Sequence, residues 1–248
     1  MRIALCLSGQ PRTWKRAFPS WVDNLYHLGD VDIFYHMWNY NTHPSFTSGL
    51  LKKQLVETIV NDDEFSEINK LLLPKKYEIQ PKQEFSTATV THPIARWTRP
   101  QFYGIKRAAA LKREYEIDNK FEYDVVCRLR TDLVFDHLVH MDHDIRPNTM
   151  YTCMNQYDVE FGAFRVGDIF YYSDSYTYDQ AANYYYALDY IDATWPVRKE
   201  IDYPPELAFY YYLKSIGIDN SSRNIHCKVA RSVEYQELKG KLDGYETL

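Results

Sequence analysis

The chain has 248 residues, 45% apolar and 25% charged, with a net charge of −5. That is enough for one large packed domain or two small ones, and the acidic balance without a dense basic stripe argues against a nucleic-acid partner. No apolar run approaches the ~20 residues of a membrane span, and the short apolar stretch of MRIALCLSGQPR is no secretory leader, so a soluble, cytoplasmic protein without a transmembrane segment is expected.

Short apolar runs read as buried strands. In chain order they are residues 2–8 (RIALCLS), 31–38 (VDIFYHMW), 76–80 (KYEIQ), 123–129 (YDVVCRL), 149–154 (TMYTCM) and 166–173 (VGDIFYYS). The first and fourth are nearly continuous in apolar residues, which suits central parallel strands covered on both faces. Helical patterns lie between them. Residues 14–28 carry Pro19 early, and residues 62–73 start acidic and stop before Pro74. Residues 100–117 give the clearest helix, with Pro100 near its first turn and Phe102, Ile105, Ala109 and Lys112 at helical spacing. Residues 174–191 open with cap-type residues, and 204–218 begin with proline and end near Gly217.

Strands alternating with helices imply an α/β fold with a mainly parallel sheet. No linker divides the chain, so residues 1–248 read as a single domain. The polar segment 81–99, with His92, Pro93 and Trp97, reads as a long loop. Four scattered cysteines form no CxxC pair, and three of them, Cys6, Cys127 and Cys153, lie in apolar strands. They read as free thiols in a reducing compartment. The 23 tyrosines suit either a tyrosine-rich core or a binding surface with apolar rings and polar tips.

In a parallel α/β sheet, ligands gather at the carboxyl ends of strands. The first strand runs into SGQPRTW. Ser8 and Gly9 offer backbone N–H groups and Arg12 a charge-assisted contact, or the segment is an ordinary turn with a surface arginine. Neither GxGxxG nor GxxxxGK[ST] is present. The second strand ends at His36, which reads more simply as a core residue than as a ligand, and at Trp38, which either stacks on a ring or simply packs. The fourth delivers RLRTDLVF. Alternation places Arg128, Arg130 and Asp132 on one face. They form either a structural ion pair or a site in which Asp132 holds a divalent cation and Arg130 an anionic leaving group.

Taken together, LCLSGQPR, DIFYHMWN, RPQFYGIKRAAAL, YDVVCRLRTDLVF and PPELAFYYYL resemble a small family of GT-A-like glycosyltransferases from bacteria and large viruses, in pieces over roughly residues 2–220. The resemblance implies a Rossmann-type, mainly parallel sheet flanked by helices, with a nucleotide-binding half of about 1–135 and an acceptor half of about 136–248. It implies a nucleotide-sugar donor, such as a UDP-sugar, a glycan or other hydroxyl acceptor, and Mn²⁺ or Mg²⁺ as cofactor. Ser8, Gly9, Arg12, Tyr103, Lys106 and Arg130 would bind the donor. Asp132 would hold the metal, with His226 as a late ligand by analogy. Asp168 and Glu206 are rival candidates for a carboxylate base, each with a plainer reading as a turn residue or a helix-start residue. GT-A enzymes carry Asp-x-Asp after this strand. Here Arg130 stands at the first acidic position and only Asp132 is retained. If the chain is viral, the compartment is the host cytoplasm. The alternatives are a non-catalytic nucleotide- or glycan-binding module and a nucleotidyltransferase. The latter needs more carboxylates around Mg²⁺ and a basic Gly loop than the chain displays.

Overall fold

The structure is a computed structural model that describes residues 1–46, 53–85, 95–141, 144–153, 155–158, 163–194, 205–223 and 225–230. The elements are, in chain order, β1 (Arg2–Gly9), α1 (Trp14–Leu25) with a 3₁₀ turn at Tyr26–Leu28, β2 (Asp30–Trp38), β3 (Tyr40–Phe46), β4 (Lys53–Ile59), α2 (Asp62–Leu72), β5 (Lys76–Gln80) and α3 (Ala95–Asn119). There follow β6 (Val125–Arg130), β7 (Leu133–Phe135), β8 (Thr149–Thr152), β9 (Asn155–Asp158), β10 (Ala163–Val166), β11 (Phe170–Ser173), α4 (Ser175–Ala182), α5 (Tyr184–Thr194), α6 (Pro205–Ser215), β12 (Asp219–Ser222) and β13 (Cys227–Val229).

A seven-stranded sheet has the order β12-β8-β11-β6-β1-β2-β5. Strands β5, β2, β1 and β6 are parallel neighbours, and β12 is parallel to β8. Strand β11 runs antiparallel to both β6 and β8. The sheet is therefore mainly parallel and flanked by helices, the Rossmann-type layout the resemblance implies.

Alternation along β1 explains why both faces are covered. Ile3, Leu5 and Leu7 pack with Trp14, Trp21 and Leu25 of α1 and with Phe65 and Ile68 of α2. Ala4 and Cys6 point the other way, to Phe102, Ile105 and Ala108 of α3, with Tyr178 of α4 and Phe209 of α6 in the same layer. Burying such side chains on both faces is the main favourable term holding the layers together. Caps fix helix entries: Asn61 Oδ1 accepts from Glu64 N at 2.9 Å and Asp174 Oδ1 from Thr177 N at 2.9 Å.

Several elements differ from the sequence reading. Helix α3 begins at Ala95, so Pro100 lies inside it and the expected loop 81–99 is shorter; His92 and Pro93 lie outside the described residues. The expected helix 174–191 breaks at Asn183 into α4 and α5. The expected strand 166–173 splits, because residues 167–169 bend and place Asp168 between β10 and β11. The antiparallel hairpin β3–β4 has no counterpart in the sequence reading. All four cysteines are free thiols, three of them buried. No helix among the described residues is long and apolar enough to cross a membrane.

Candidate ligand-binding cleft

The carboxyl ends of β1, β2 and β6 meet in register. Ser8 is the partner of His36 on one side and of Arg130 on the other, so one row of polar residues crosses three strands. The row faces α3, and Gly104 is what lets the helix approach. A Cβ at Gly104 would stand 3.2 Å from His36 Nδ1 and 3.3 Å from Ser8 Cβ, tighter than ordinary van der Waals contact. Beyond this row opens a cleft of about 790 Å³.

The cleft floor is built around Asp132, which is 2% exposed. Its Oδ1 accepts from Arg130 Nε at 2.9 Å, and its Oδ2 accepts from Arg130 Nη2 at 2.9 Å and Arg12 Nη1 at 3.0 Å. Burial alone would push the Asp132 carboxyl up, but the charges and hydrogen bonds of Arg130 and Arg12 outweigh it and hold it below the usual carboxylate range. Conversely, burial pulls Arg130 down, and the charge of Asp132, its hydrogen bond and Asp168 more than restore it.

Arg12 reaches Asp132 from a left-handed backbone, φ 49°, a conformation that costs a residue with a side chain. The β3 strand holds it there. Asn41 Oδ1 accepts from Arg12 N at 2.7 Å, and Thr42 binds Gln10, whose Oε1 accepts from Arg12 Nε at 3.1 Å. Thr131 Oγ1 donates to the Gln10 carbonyl, tying β6 to the same turn. Late chain residues close the floor. Ala230 N donates to the Asp132 carbonyl at 2.6 Å, and Thr13 Oγ1 to the Ala230 carbonyl at 2.9 Å.

Of the residues singled out in the sequence, Ser8, Gly9, Arg12, Arg130 and Asp132 line this cleft together. Asp168 stands at its edge: Gln101, a lining residue, donates to Asp168 Oδ2. Tyr103 stands behind the wall. It stacks on Trp38 at 5.7 Å and meets Phe85 at 5.5 Å, and those two rings do line the cleft. Lys106 lies 3.5 Å over the Tyr186 ring, away from the lining residues. Glu206 is in the first turn of α6 and is not among the lining residues. His226 is exposed, 5.3 Å from the His137 ring, at the Phe135 end of the β7–β13 ladder. Asp132 sits at the other end, about 13 Å away at strand rise. The structure does not bring His226 and Asp132 together.

A hard divalent cation needs several oxygen ligands. Both oxygens of Asp132 are engaged by guanidinium groups, and among the described residues no three His, Cys, Asp or Glu side chains converge as a metal site. Among the described residues, the set around Asp132 does not fit Mn²⁺ or Mg²⁺.

The sequence reading passed over Gln10, Asn41, Thr42 and Gln101, which hold or line this site. Gln10 sits in a quoted motif, but its partnership with Thr42 depends on the β3–β4 hairpin. Arg128 was read only as sharing a face with Arg130. It is 1% exposed, lines the floor, and donates from Nη1 to the Leu129 carbonyl. Burial pulls its pKa down, against the nearby Tyr171 and Tyr178 hydroxyls.

No family model and no curated protein matches the chain. Among solved structures it is similar to the apo form of the glycosyltransferase GlyE of Streptococcus pneumoniae TIGR4, with 13% identity over 88% of this chain and a TM-score of 0.42. A second structure of GlyE gives 12% identity, 89% and 0.41. This chain covers 44% of the length of either.

Proposed function

We propose that this protein is a nucleotide-sugar-dependent glycosyltransferase that moves a sugar from a nucleoside diphosphate donor, UDP-sugars among them, to a glycan or other hydroxyl acceptor. The observation that carries the reading is the cluster of Arg12 and Arg130 on the buried Asp132 at the carboxyl end of the parallel strands. Guanidinium groups with fixed direction suit the charge that develops on a diphosphate leaving group. Asp132 keeps both arginines oriented across the floor. Ser8 and Gly9 present the end of β1 to the ligand. Trp38, Tyr40 and Phe85 form an aromatic wall against which a base or sugar ring fits.

Asp168 is the base candidate the geometry favours, since it reaches the cleft through Gln101 and Glu206 does not line it. In this reading residues 1–135 bind the donor and residues 136–248 face the acceptor. A thermal-shift series with UDP-, GDP- and dTDP-sugars tests it: stabilisation by one nucleotide class is expected, and no shift with any of them sinks the proposal.

One observation favours a second reading, a binding module without turnover. Both functional carboxylates, Asp132 and Asp168, already have side-chain partners. Nucleotide binding without sugar transfer to any hydroxyl acceptor in a screen decides for it.

A further inference from the structure

Arg128 is a charged group of the cleft floor whose charge no contact among the described residues balances. Among the described residues no carboxylate stands within ion-pair distance, and its Nε–H has no partner. A buried guanidinium in that state is expensive unless something completes it. The charge of Asp168 reaches it, but that carboxylate is engaged by Gln101. Ser8, one strand away and 2% exposed, lines the same cleft with an unpartnered Oγ. Two donors at the bottom of an open cleft are therefore unsatisfied by the described residues.

The count of charges at the floor says what they await. Arg12 and Arg130 share Asp132, which leaves one positive charge for a ligand. A diphosphate ester carries about two negative charges, and its phosphates are adjacent. Arg128 and Arg130 are on the same face of β6, two residues or about 7 Å apart along the strand, within reach of neighbouring phosphates. Lys82, Glu57 and Glu84 stand on the exposed rim, where Lys82 already holds Glu57 at 2.6 Å.

We propose that Arg128 and Ser8 form a second anion subsite that takes one phosphate of a nucleoside diphosphate while Arg12 and Arg130 take the other, so that the donor's charge is met by guanidinium groups and not by a divalent cation. This rests on the nucleotide-sugar reading above and adds to it a residue and a cation-independence.

The test is calorimetric binding of UMP, UDP, UDP-glucose and UDP-glucuronate, with guanosine and thymidine counterparts, in EDTA and in Mn²⁺. The wild type should bind its diphosphate about tenfold or more tighter than its monophosphate, equally in both media. Arg128→Gln should erase that difference by weakening the diphosphate, and Arg128→Lys should restore part of it. Melting temperatures report whether each variant is folded, and the wild-type ratio and EDTA arms stand without any variant. Diphosphate affinity unchanged in Arg128→Gln, or binding that EDTA abolishes, overturns the inference and leaves the nucleotide reading intact. A loss confined to UDP-glucuronate also overturns it, assigning Arg128 to a sugar carboxylate. No binding of any nucleotide overturns both.

Discussion

Arg12 meets Asp132 at 3.0 Å from a backbone that only glycine adopts freely, at φ 49°. The β3 strand supplies the hydrogen bond that stabilises this conformation, through Asn41. The strain and the cation belong to one residue, so they can be separated by mutation. Arg12→Gly removes both and Arg12→Ala removes the cation alone. Arg12→Gly should be the more stable of the two by about 1 kcal/mol, against the usual order. Both should weaken nucleoside diphosphate binding about tenfold. Equal melting temperatures would show that the left-handed turn is unstrained.

Asp132→Asn separates two roles for this carboxylate. It breaks a buried pair, at a cost of about 2 kcal/mol, moderated because Arg12 is 35% exposed. That is a fall of roughly 4–8 °C in Tm for a chain of this size. With the guanidinium groups released, diphosphate affinity should hold or rise, with or without Mn²⁺. A variant that keeps its Tm and loses Mn²⁺-dependent binding would make Asp132 a metal ligand after all.

Acid should act in two stages. Burial, opposed by the Gln80 hydrogen bond and the Glu78 charge, holds His36 below its ordinary value, so its neutral form is the folded one. Its contribution to stability is full above about pH 6.5 and is lost as pH falls through the lower folded value. The depressed Asp132 behaves likewise one window lower: its contribution is full above about pH 4 and lost below. Urea unfolding from pH 7 to pH 3 should show His36→Gln flattening the upper slope and Asp132→Asn the lower. A wild-type curve flat from pH 7 to pH 4 would refute the His36 assignment.

Asp168→Asn should cut sugar transfer by about 10²–10⁴-fold if it is the base, with nucleotide affinity within a few-fold of wild type. Glu206→Gln should leave transfer near wild type. The reverse pattern, read from single-turnover rates, would move the base to α6.

The parts of this molecule legible in its sequence are those set by short-range pattern. β1 and β6 begin as nearly continuous apolar runs, which suits the inside of a parallel sheet, and that placed Ser8, Arg130 and Asp132 at the ligand edge. What escaped was set by distant partners. Asn41 looks like a strand-end polar residue until β3 folds beside the β1–α1 turn. Pro44 in β3 argues against a strand by propensity, and pairing with Leu55 of β4 overrides it. Asp168 was legible as a turn residue, but its place at the cleft edge depends on Gln101 of α3. Tyr103 and Lys106 have helical spacing, but in the packed helix they meet Trp38 and Tyr186. The isolation of Arg128 depends on the α3 and α4 layers above it, which no local window contains.

The bonds from Thr13 and Asp132 to Ala230 join positions 217 and 98 apart in the chain. Chain synthesis runs in order, so β1, β2 and most of the sheet emerge long before the residue that latches the floor. Loop closure over such separations is slow relative to local helix and hairpin formation. A nascent chain can hold the sheet while the arginine cluster is still unlatched. Competence to bind should then appear as a late kinetic phase in refolding, lagging behind the burial of Trp14 and Trp21.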